Sequence, residues 1–275
     1  MTSFKIGNRL IGADAPPFII AEMSGNHNQS LEVALQIVEA AAKAGAHALK
    51  LQTYTAQTMT LDLAEGEFFI KDPNSLWAGT SLYELYEKAH TPWEWHAPIF
   101  ARAKELGMLA FSTPFDDTAV DFLESLDVPA YKIASFENTD LPLIRRVAAT
   151  GKPLIISTGM ASVAELDDTV RVAREAGCRD LVLLKCTSTY PATPANSTST
   201  PMLLPTVTPY SAVTTRPSIC VASVALKSSK FQIAASQRMY CVPMDESYPY
   251  TARKRSRTAS GTPSPSAVTG SPGAS

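Results

Sequence analysis

Six short apolar runs, each followed by a stretch of helical periodicity, fill the first two thirds of the chain and restrict its fold more than any other feature. Behind the first run, Leu31, Leu35, Val38 and Ala42 recur at the spacing of one helix face. Parallel strands need a long crossover between them, usually a helix. The alternation therefore predicts an α/β fold with a parallel sheet, whose strands lie at residues 18–21, 48–52, 108–111, 130–133, 153–156 and 181–184.

The positions of the polar side chains favour a barrel over a doubly wound sheet. A barrel assembles its site from all its βα loops, whereas a doubly wound sheet concentrates the site at one switch point, usually behind a glycine-rich turn. No GxGxxG sequence is present, and every predicted strand ends in or leads into groups that can bind an anion or a carbonyl: Glu22, Lys50, Gln52, Thr113, Lys132, Ser135, Ser157, Ser188 and Tyr190. The pattern predicts a (β/α)8 TIM-type barrel that is incomplete, with about six βα units.

The connection between the second and third runs is unusually long. It holds a polar, turn-rich insertion at residues 53–79 and a helical pattern at 82–106 that is interrupted near Thr91 and Pro92. His47, His90 and His96 are expected to pack or to lie at the surface. His27, in the loop behind the first run, fits either a metal ligand or a side chain that holds a turn.

The composition changes abruptly near residue 200. Residues 1–200 contain 24 of the 26 acidic side chains and carry a net charge of −8, whereas residues 201–275 carry +6. Thirty of these last 75 residues are Ser, Thr or Pro, and only the runs 219–226 and 231–235 look able to pair or pack. The sequence therefore predicts a barrel domain at 1–198 and an irregular tail at 199–275.

Charge and cysteine usage exclude several classes of partner and compartment. The whole chain carries a net charge of −2, which gives no reason to expect nucleic acid, and no run approaches the roughly 18 apolar residues of a membrane span. The four cysteines form no CxxC pair. We expect reduced thiols and a cytoplasmic protein without a membrane partner.

The strand ends define a chemistry before any relative is considered. They supply two lysines and three hydroxyl groups, those of Lys50, Lys132, Thr113, Ser135 and Ser157. Such a set suits a small dianion such as a phosphate or a carboxylate, and Glu22, across from it, can transfer a proton. The plainer alternative is that the lysines are solvated charges and the hydroxyls are helix N-caps.

Six segments resemble the sialic acid synthase family, in order and at the family's spacing, over about residues 3–198. They are IAEMSGNH at 20–27, KLQT at 50–53, FSTPF at 111–115, YKIAS at 131–135, STGM at 157–160 and KCTSTYP at 185–191. The forms EMSGNHNQ at 22–29, DPNSLW at 72–77 and HTPWEWH at 90–96 resemble the pseudaminic acid branch. The N-acetylneuraminate branch typically has Asn where this chain has Ser188.

The resemblance implies a reaction and a role for each matching residue. The family joins phosphoenolpyruvate to a free amino-sugar aldehyde, here a 2,4-diacetamido-2,4,6-trideoxy hexose, and forms a nonulosonic acid, here pseudaminic acid, and phosphate. Glu22 and Lys132 would be catalytic. Phosphoenolpyruvate would be bound by Lys50, Thr113, Lys132, Ser135, Ser157 and Ser188, and the sugar by Gln52, Asn74 and Tyr190. A divalent metal, Mn or Mg, would polarise the aldehyde, and the family forms homodimers.

The chain also departs from the family's pattern. The family's metal is held by two histidines in its last barrel strands, yet no histidine follows His96. The family's C-terminal antifreeze-like domain is missing as well, so a homodimer is doubtful. A Ser-, Thr-, Pro- and Arg-rich segment that begins abruptly is what out-of-frame reading of a GC-rich gene produces, and a genuine disordered tail is the alternative.

Four hypotheses about activity remain open. The first is a pseudaminic acid synthase whose turnover is impaired in this chain by the loss of the last barrel strands. The second is an N-acetylneuraminate synthase, and the third is a truncated product that does not catalyse. The fourth is a Schiff-base aldolase that uses Lys132 as its nucleophile.

Overall fold

The computed structural model of the chain describes residues 3–12, 15–73, 75, 77–184 and 186, together with the backbone of three strands at 219–227, 230–237 and 241–244. Asn74, Ser188 and Tyr190, to which the resemblance gives roles, lie outside the described residues. Among the helices that are described, none is long and apolar enough to cross a membrane.

Six parallel strands form the body of the fold and confirm the predicted α/β class. They follow two short strands, β1 (Phe4–Ile6) and β2 (Arg9–Ile11), and are hydrogen-bonded to one another in chain order. Their bounds are Phe18–Glu22 (β3), Ala48–Thr53 (β4), Leu109–Pro114 (β5), Tyr131–Ile133 (β6), Leu154–Ser157 (β7) and Leu181–Leu184 (β8). Because all six run in the same direction, their carboxyl ends lie at the same end of the sheet.

Helices connect these strands. Their bounds are Leu31–Lys43 (α1), Ala56–Met59 (α2), Leu82–Ala89 (α3), His96–Glu105 (α4), Asp117–Ser125 (α5), Leu141–Ala148 (α6) and Val163–Glu175 (α7). The interruption predicted within 82–106 is present, since α3 and α4 are separated by a 3-10 turn at Trp93–Trp95. Pro92 precedes that turn, and proline disfavours helical backbone in the residue before it.

A hairpin of β1 (Phe4–Ile6) and β2 (Arg9–Ile11) covers the amino ends of the parallel strands. Ile6 and Ile11 are fully buried in the same apolar cluster as Phe18 at the start of β3. The turn holds Gly7 at a φ of +56°, and a Cβ atom there would lie 2.8 Å from the side chain of Leu109. The hairpin therefore closes the end of the sheet opposite to the predicted site.

One part of the core lies between the outer face of the sheet and the helices. Successive side chains of a strand point to opposite faces. Leu49 and Leu51 of β4 accordingly pack in one fully buried cluster with Ile37 and Val38 of α1 and Ile99 of α4. The residue between the two leucines points the other way, toward the inner face of the sheet, where the polar side chains gather.

Three strands from the last part of the chain lie at the two edges of the parallel sheet. β9 (Ile219–Lys227) pairs parallel with β3, β10 (Lys230–Gln237) pairs antiparallel with β9, and β11 (Cys241–Met244) pairs antiparallel with β8. β9 and β10 correspond to the two apolar runs that the sequence singles out. β9 and β11 pair with β3 and β8, whose edge N–H and C=O groups are a template for further strands.

A buried chain of hydrogen bonds ties the sheet to α4. Thr53 Oγ1 lies 2.8 Å from His96 Nε2 and 2.6 Å from Ser112 Oγ, and His96 Nδ1 lies 3.3 Å from the Pro92 carbonyl oxygen. The side chains of Thr53, Ser112 and His96 are fully buried. Burial lowers the pKa of the His96 imidazole to about 4, so the ring is neutral at pH 7.

His27 is also held by hydrogen bonds inside the protein. Its Nδ1 atom accepts a hydrogen bond of 3.2 Å from the Gln29 amide, and its Nε2 atom lies 3.2 Å from Thr91 Oγ1. The ring is fully buried and meets the edge of Trp95 at a centroid distance of 5.5 Å. Both ring nitrogens are engaged, so the contacts of His27 match a side chain that holds a turn.

Lowering the pH from 7 to about 4.5 is expected to reduce the free energy of unfolding, with His96 responsible for much of the loss. In the unfolded chain histidine takes up a proton near its ordinary pKa of 6.5, whereas the folded protein resists protonation of His96 until about pH 4. The unfolded state binds more protons in this window, so stability falls as the pH falls. Urea unfolding at a series of pH values measures this slope.

The substitution His96→Gln, which keeps a hydrogen-bonding side chain near Thr53, is expected to remove about 2 to 3 kcal/mol of that loss. His90→Gln is the matched control, since His90 lies outside the Thr53–His96–Ser112 chain. A His96→Gln protein with the same pH dependence as the parent would contradict the prediction.

Candidate active site

The alternation of side chains along the strands gathers four of the predicted site residues on the inner face of the sheet. Lys50, Thr113, Lys132 and Ser157 lie at or near the carboxyl ends of β4, β5, β6 and β7. All four are more than nine-tenths buried. Two cationic side chains and two hydroxyl groups therefore share a largely water-excluded site.

Glu22 and Lys50 form a buried ion pair at the ends of two neighbouring strands. They are direct partners in the register of β3 and β4, and Glu22 Oε2 contacts Lys50 Nζ. The other carboxylate oxygen accepts hydrogen bonds from the amide and the hydroxyl group of Ser24, at 3.2 and 3.0 Å. The sequence placed Glu22 across from the lysines. The structure corrects this, because the register of adjacent strands puts Glu22 beside Lys50.

The next strand extends this group. Lys50 Nζ lies 3.4 Å from Thr113 Oγ1 across β4 and β5. Gln52, two positions beyond Lys50 on the same face of β4, is the register partner of Thr113 and is half-buried. Lys50, Gln52 and Thr113 thus lie close together at the ends of two strands.

Lys132 occupies the second half of the site. Its Nζ atom donates hydrogen bonds to Ser157 Oγ and, over 2.7 Å, to the Ile133 carbonyl oxygen. Burial, followed by the positive charge of Lys50, lowers the pKa of Lys132 to about 7. Near neutral pH this amine is therefore close to losing its proton, and a bound anion would favour the charged form.

The positive charges of Lys50 and Lys132 are compensated to different extents. Glu22 compensates Lys50, whereas in the described part of the chain no carboxylate lies within ion-pair distance of Lys132. Opposite charge within a few ångströms stabilises a buried cation. A dianion placed between the two lysines would supply that charge and accept hydrogen bonds from Thr113 and Ser157. The arrangement therefore fits a phosphate or carboxylate group.

Ser135 is not part of this hydrogen-bonded group. It lies half-buried in the loop after β6, where it lines a cavity together with Phe136 and Met160. Of the residues assigned from the sequence, the structure thus brings together Glu22, Lys50, Gln52, Thr113, Lys132 and Ser157.

Glu137 is a site residue that the sequence analysis missed. Its Oε2 atom is buried and has no hydrogen-bond partner among the described residues. Burial raises the pKa of the Glu137 carboxyl, and the charge of Lys132 opposes that rise. Burial raises the pKa of the Tyr86 hydroxyl group, and the charge of the Glu137 carboxylate contributes to that rise. The sequence held one indication of this role, since Glu137 follows Ser135 by two residues in the same βα loop.

The described residues do not fit the divalent metal that the resemblance implies. In the part of the chain that the structure covers, no group of three or more His, Cys, Asp or Glu side chains is arranged to hold a metal ion. The sequence also has no histidine after His96 to supply the family's two ligands. No step of the reaction is therefore assigned to a metal.

A parallel α/β sheet with polar side chains gathered at the carboxyl ends of its strands is the arrangement of the TIM-barrel class. A match to one protein family makes this class more specific. The NeuB family matches residues 37–202, more than half of the chain, and the chain belongs to that family.

Curated relatives agree with this assignment. The chain is 50% identical over 187 residues to the pseudaminic acid synthase of Campylobacter jejuni serotype O:2, a match that covers 68% of this chain and 53% of the relative. It is 49% identical over 177 residues to the pseudaminic acid synthase of Helicobacter pylori, with 64% and 52% covered. The chain thus spans about half the length of the curated relatives it matches.

Solved structures show the same fold. The N-acetylneuraminic acid synthetase of Leptospira borgpetersenii, in complex with citrate, superposes with a TM-score of 0.63 at 28% identity, covering 72% of this chain and 63% of that one. The spore coat polysaccharide biosynthesis protein SpsE of Bacillus subtilis superposes with a TM-score of 0.57 at 34% identity, with 70% and 50% covered.

Sulfate binding to this site is expected to weaken about tenfold between pH 6 and pH 8. Sulfate remains a dianion across this range, whereas the protonated fraction of Lys132, with a pKa of about 7, falls about tenfold. Titration calorimetry at several pH values measures the change. Lys132→Met is expected to weaken binding and to remove most of its pH dependence, and Lys104→Met, an exposed lysine on α4, is the matched control.

Stability provides an independent readout of the same variant. Because the folded protein lowers the pKa of Lys132, holding the ammonium form in the site destabilises the fold, most strongly at pH 7 and below. Lys132→Met should therefore raise the free energy of unfolding at pH 6 by about 1 to 4 kcal/mol. A destabilised variant, or sulfate binding that is unaffected by pH in the parent, would refute the assignment of Lys132 to an anion site.

Proposed function

We propose that this chain carries the phosphoenolpyruvate site of a nonulosonic acid synthase and that its reaction is the condensation of phosphoenolpyruvate with a 2,4-diacetamido-2,4,6-trideoxy hexose to give pseudaminic acid and phosphate. The observation that supports this most directly is the pair of buried lysines, Lys50 and Lys132, flanked by Thr113 and Ser157. The relatives named pseudaminic acid synthase, at about half identity, point to the same reaction.

Phosphoenolpyruvate matches the charge of the site. It carries a phosphate and a carboxylate on one small planar carbon frame, and each lysine can meet one of these anionic groups. In the proposed complex Thr113 and Ser157 donate hydrogen bonds to the bound anion, with Ser135 and Ser188 completing the set from their loops. Lys132 then binds in its protonated form, because the bound anion raises its pKa.

The bond changes follow from the two substrates. The C3 carbon of phosphoenolpyruvate attacks the aldehyde carbon of the sugar, so a C–C bond forms and the aldehyde oxygen takes up a proton. Water adds to C2, loses a proton, and the C2–O bond to phosphate breaks. The products are the nonulosonic acid and inorganic phosphate, and no oxidant or reductant is needed.

Two carboxylates are available for the proton transfers. Glu22 is held next to Lys50 and Ser24, and we assign it to proton transfer at the aldehyde or to orientation of the attacking water. Glu137 has a buried oxygen without a hydrogen-bond partner among the described residues, and burial raises the pKa of its carboxyl group, which suits a group that takes part in proton transfer. In the same proposal Gln52, Asn74 and Tyr190 face the sugar, and the protein is cytoplasmic.

The chain of 275 residues is expected to bind its substrates but to turn them over slowly. In the presence of phosphoenolpyruvate it should bind the diacetamido sugar about tenfold more tightly than N-acetylmannosamine. Since the two histidines of the family's metal site are absent, phosphate release with sugar and Mn should fall roughly several powers of ten below that of a complete synthase.

Calorimetry of the two sugars and an assay of released phosphate check these expectations. Lys50→Met should abolish binding of phosphoenolpyruvate, and Lys104→Met should leave it unchanged. Equal or tighter binding of N-acetylmannosamine would move the assignment to the N-acetylneuraminate branch. Failure of the parent chain to bind phosphoenolpyruvate would remove the proposed function altogether.

The pKa of Lys132 also keeps the Schiff-base aldolase under consideration, since an amine with a pKa of about 7 is nucleophilic at neutral pH. We expect no such chemistry, because Lys132 already donates to Ser157 and to the Ile133 carbonyl oxygen. Treatment with pyruvate and borohydride, followed by peptide mass spectrometry, should find Lys132 unmodified. A pyruvate-dependent mass gain on Lys132, absent without pyruvate, would establish the aldolase instead.

A further inference from the structure

A buried amide side chain that the proposed reaction does not use contacts the backbone of Ser157. Asn138 lies in the loop after β6 and is 2% exposed. Its Nδ2 atom donates hydrogen bonds to the carbonyl oxygens of Ser157 and Gly159, at 3.2 and 3.1 Å. Only the nitrogen of an asparagine amide can donate to two carbonyl oxygens, and it has two hydrogens to do so. The two bonds therefore fix the orientation of the Asn138 side chain.

The Ser157 carbonyl group needs such a donor because strand β6 ends early. In a trans peptide the C=O of one residue and the N–H of the next point in opposite directions. The Thr158 amide donates to the last residue of β8 over 2.9 Å, so the Ser157 carbonyl is directed to the other side of β7, toward β6. The register of β6 with β7 ends at Ile133. Asn138 thus supplies the hydrogen bond that a longer β6 would have made.

The backbone of Asn138 is itself held by helix α7. The hydroxyl group of Thr169, a fully buried residue of α7, donates a hydrogen bond to the Asn138 carbonyl oxygen. Asn138 therefore joins three parts of the fold, which are the loop after β6, the end of β7 and the helix that follows β7. Its side chain reaches the site and its backbone does not.

The residue that Asn138 holds is the one that contacts Lys132. Ser157 Oγ accepts a hydrogen bond from Lys132 Nζ, and the other acceptor of this amine is the Ile133 carbonyl oxygen. Both Lys132 and Ser157 are more than nine-tenths buried. A small displacement of the Ser157 backbone moves its hydroxyl group relative to the ammonium group, and displacements of this kind weaken binding in a rigid site.

We propose that Asn138 is a positioning residue of the anion site: by fixing the backbone of Ser157, it holds the Ser157 hydroxyl group against the ammonium group of Lys132. The inference rests on the proposed function in so far as the anion is phosphoenolpyruvate. Asn138 acts through Ser157 and touches no substrate. It satisfies the Ser157 carbonyl group and leaves the Ser157 hydroxyl group free to meet the anion.

The test is a double-mutant cycle on the dissociation constant of sulfate, measured by titration calorimetry at pH 6. Asn138→Ala and Ser157→Ala should each weaken sulfate binding about tenfold, the usual effect of losing a hydrogen bond to a charged group. If Asn138 acts through Ser157, the double variant should bind no more weakly than Ser157→Ala alone. Losses that add in the double variant would overturn the proposal, because the two residues would then act independently.

A pH profile gives a readout that a purely structural role would not change. A hydrogen bond from the Lys132 ammonium group to Ser157 favours the charged form, so its loss should move the midpoint of the pH dependence of sulfate binding to lower pH. Asn138→Ala and Ser157→Ala should show the same displacement. The other groups whose charges act on this amine are unchanged in both variants, namely Lys50, Cys186, Glu22 and Glu137.

Thr169→Val is the matched control, because it removes a buried hydrogen bond from the same loop without removing a bond to Ser157. It should lower the free energy of unfolding and leave both the affinity for sulfate and the pH midpoint as in the parent. If Asn138→Ala behaves in the same way, Asn138 only ties the loops together and the proposal is wrong. Should Asn138→Ala not fold, Asn138→Ser, which is too short to reach both carbonyl oxygens, takes its place with the same expectations.

The outcomes separate this inference from the function on which it rests. A parent chain that binds sulfate but not phosphoenolpyruvate would remove the proposed function, and the sulfate cycle would still decide the role of Asn138. A parent chain that binds neither anion has no anion site for Asn138 to position, and both proposals then fail. If phosphoenolpyruvate binds and Asn138→Ala leaves the affinity for sulfate unchanged, only the positioning role is lost.

Discussion

The repulsion between two lysines buried at the same end of one sheet is the constraint to which the rest of the site responds. Lys50 and Lys132 are both nearly inaccessible to water, and the charge of Lys50 disfavours the charged form of Lys132. Glu22 compensates Lys50 through a direct contact. Among the described residues Lys132 donates only to neutral acceptors in Ser157 and Ile133, and burial, followed by the charge of Lys50, lowers its pKa. A fold that retains such a pair gives up stability, and the proposed binding of a doubly charged anion would account for that cost.

The sheet makes that arrangement possible through two simple geometric rules. Adjacent parallel strands in direct register bring Glu22 level with Lys50, and the same register brings Gln52 level with Thr113. The alternation of side chains sends Leu49 and Leu51 of β4 into the helical layer and keeps Lys50 and Gln52 on the inner face. Strand β4 thus contributes apolar side chains to the core and polar side chains to the candidate site.

The two ends of the sheet are built for different purposes. At the amino ends the β1–β2 hairpin buries Ile6 and Ile11 against the strands and excludes water. At the carboxyl ends the loops carry an exposed phenylalanine, a strained methionine and, among the described residues, one buried carboxylate oxygen without a hydrogen-bond partner, Glu137 Oε2. Such features are costly, and they are concentrated around Lys132. This asymmetry is what a barrel with its chemistry on one face produces.

The sequence by itself determined the α/β class, the six parallel strands, the break in the long helical pattern and the family resemblance, because each depends on local periodicity or on short motifs. It also indicated Lys50, Thr113, Lys132 and Ser157 as strand-end residues, since position in a strand can be read from the pattern. Only the tertiary structure decided that Glu22 pairs with Lys50, that Glu137 lies near Lys132, that Ser135 stands apart with Phe136 and Met160, and that strands from beyond residue 198 occupy both sheet edges. These features depend on register, loop conformation and pairing between residues distant in the chain, none of which local sequence encodes.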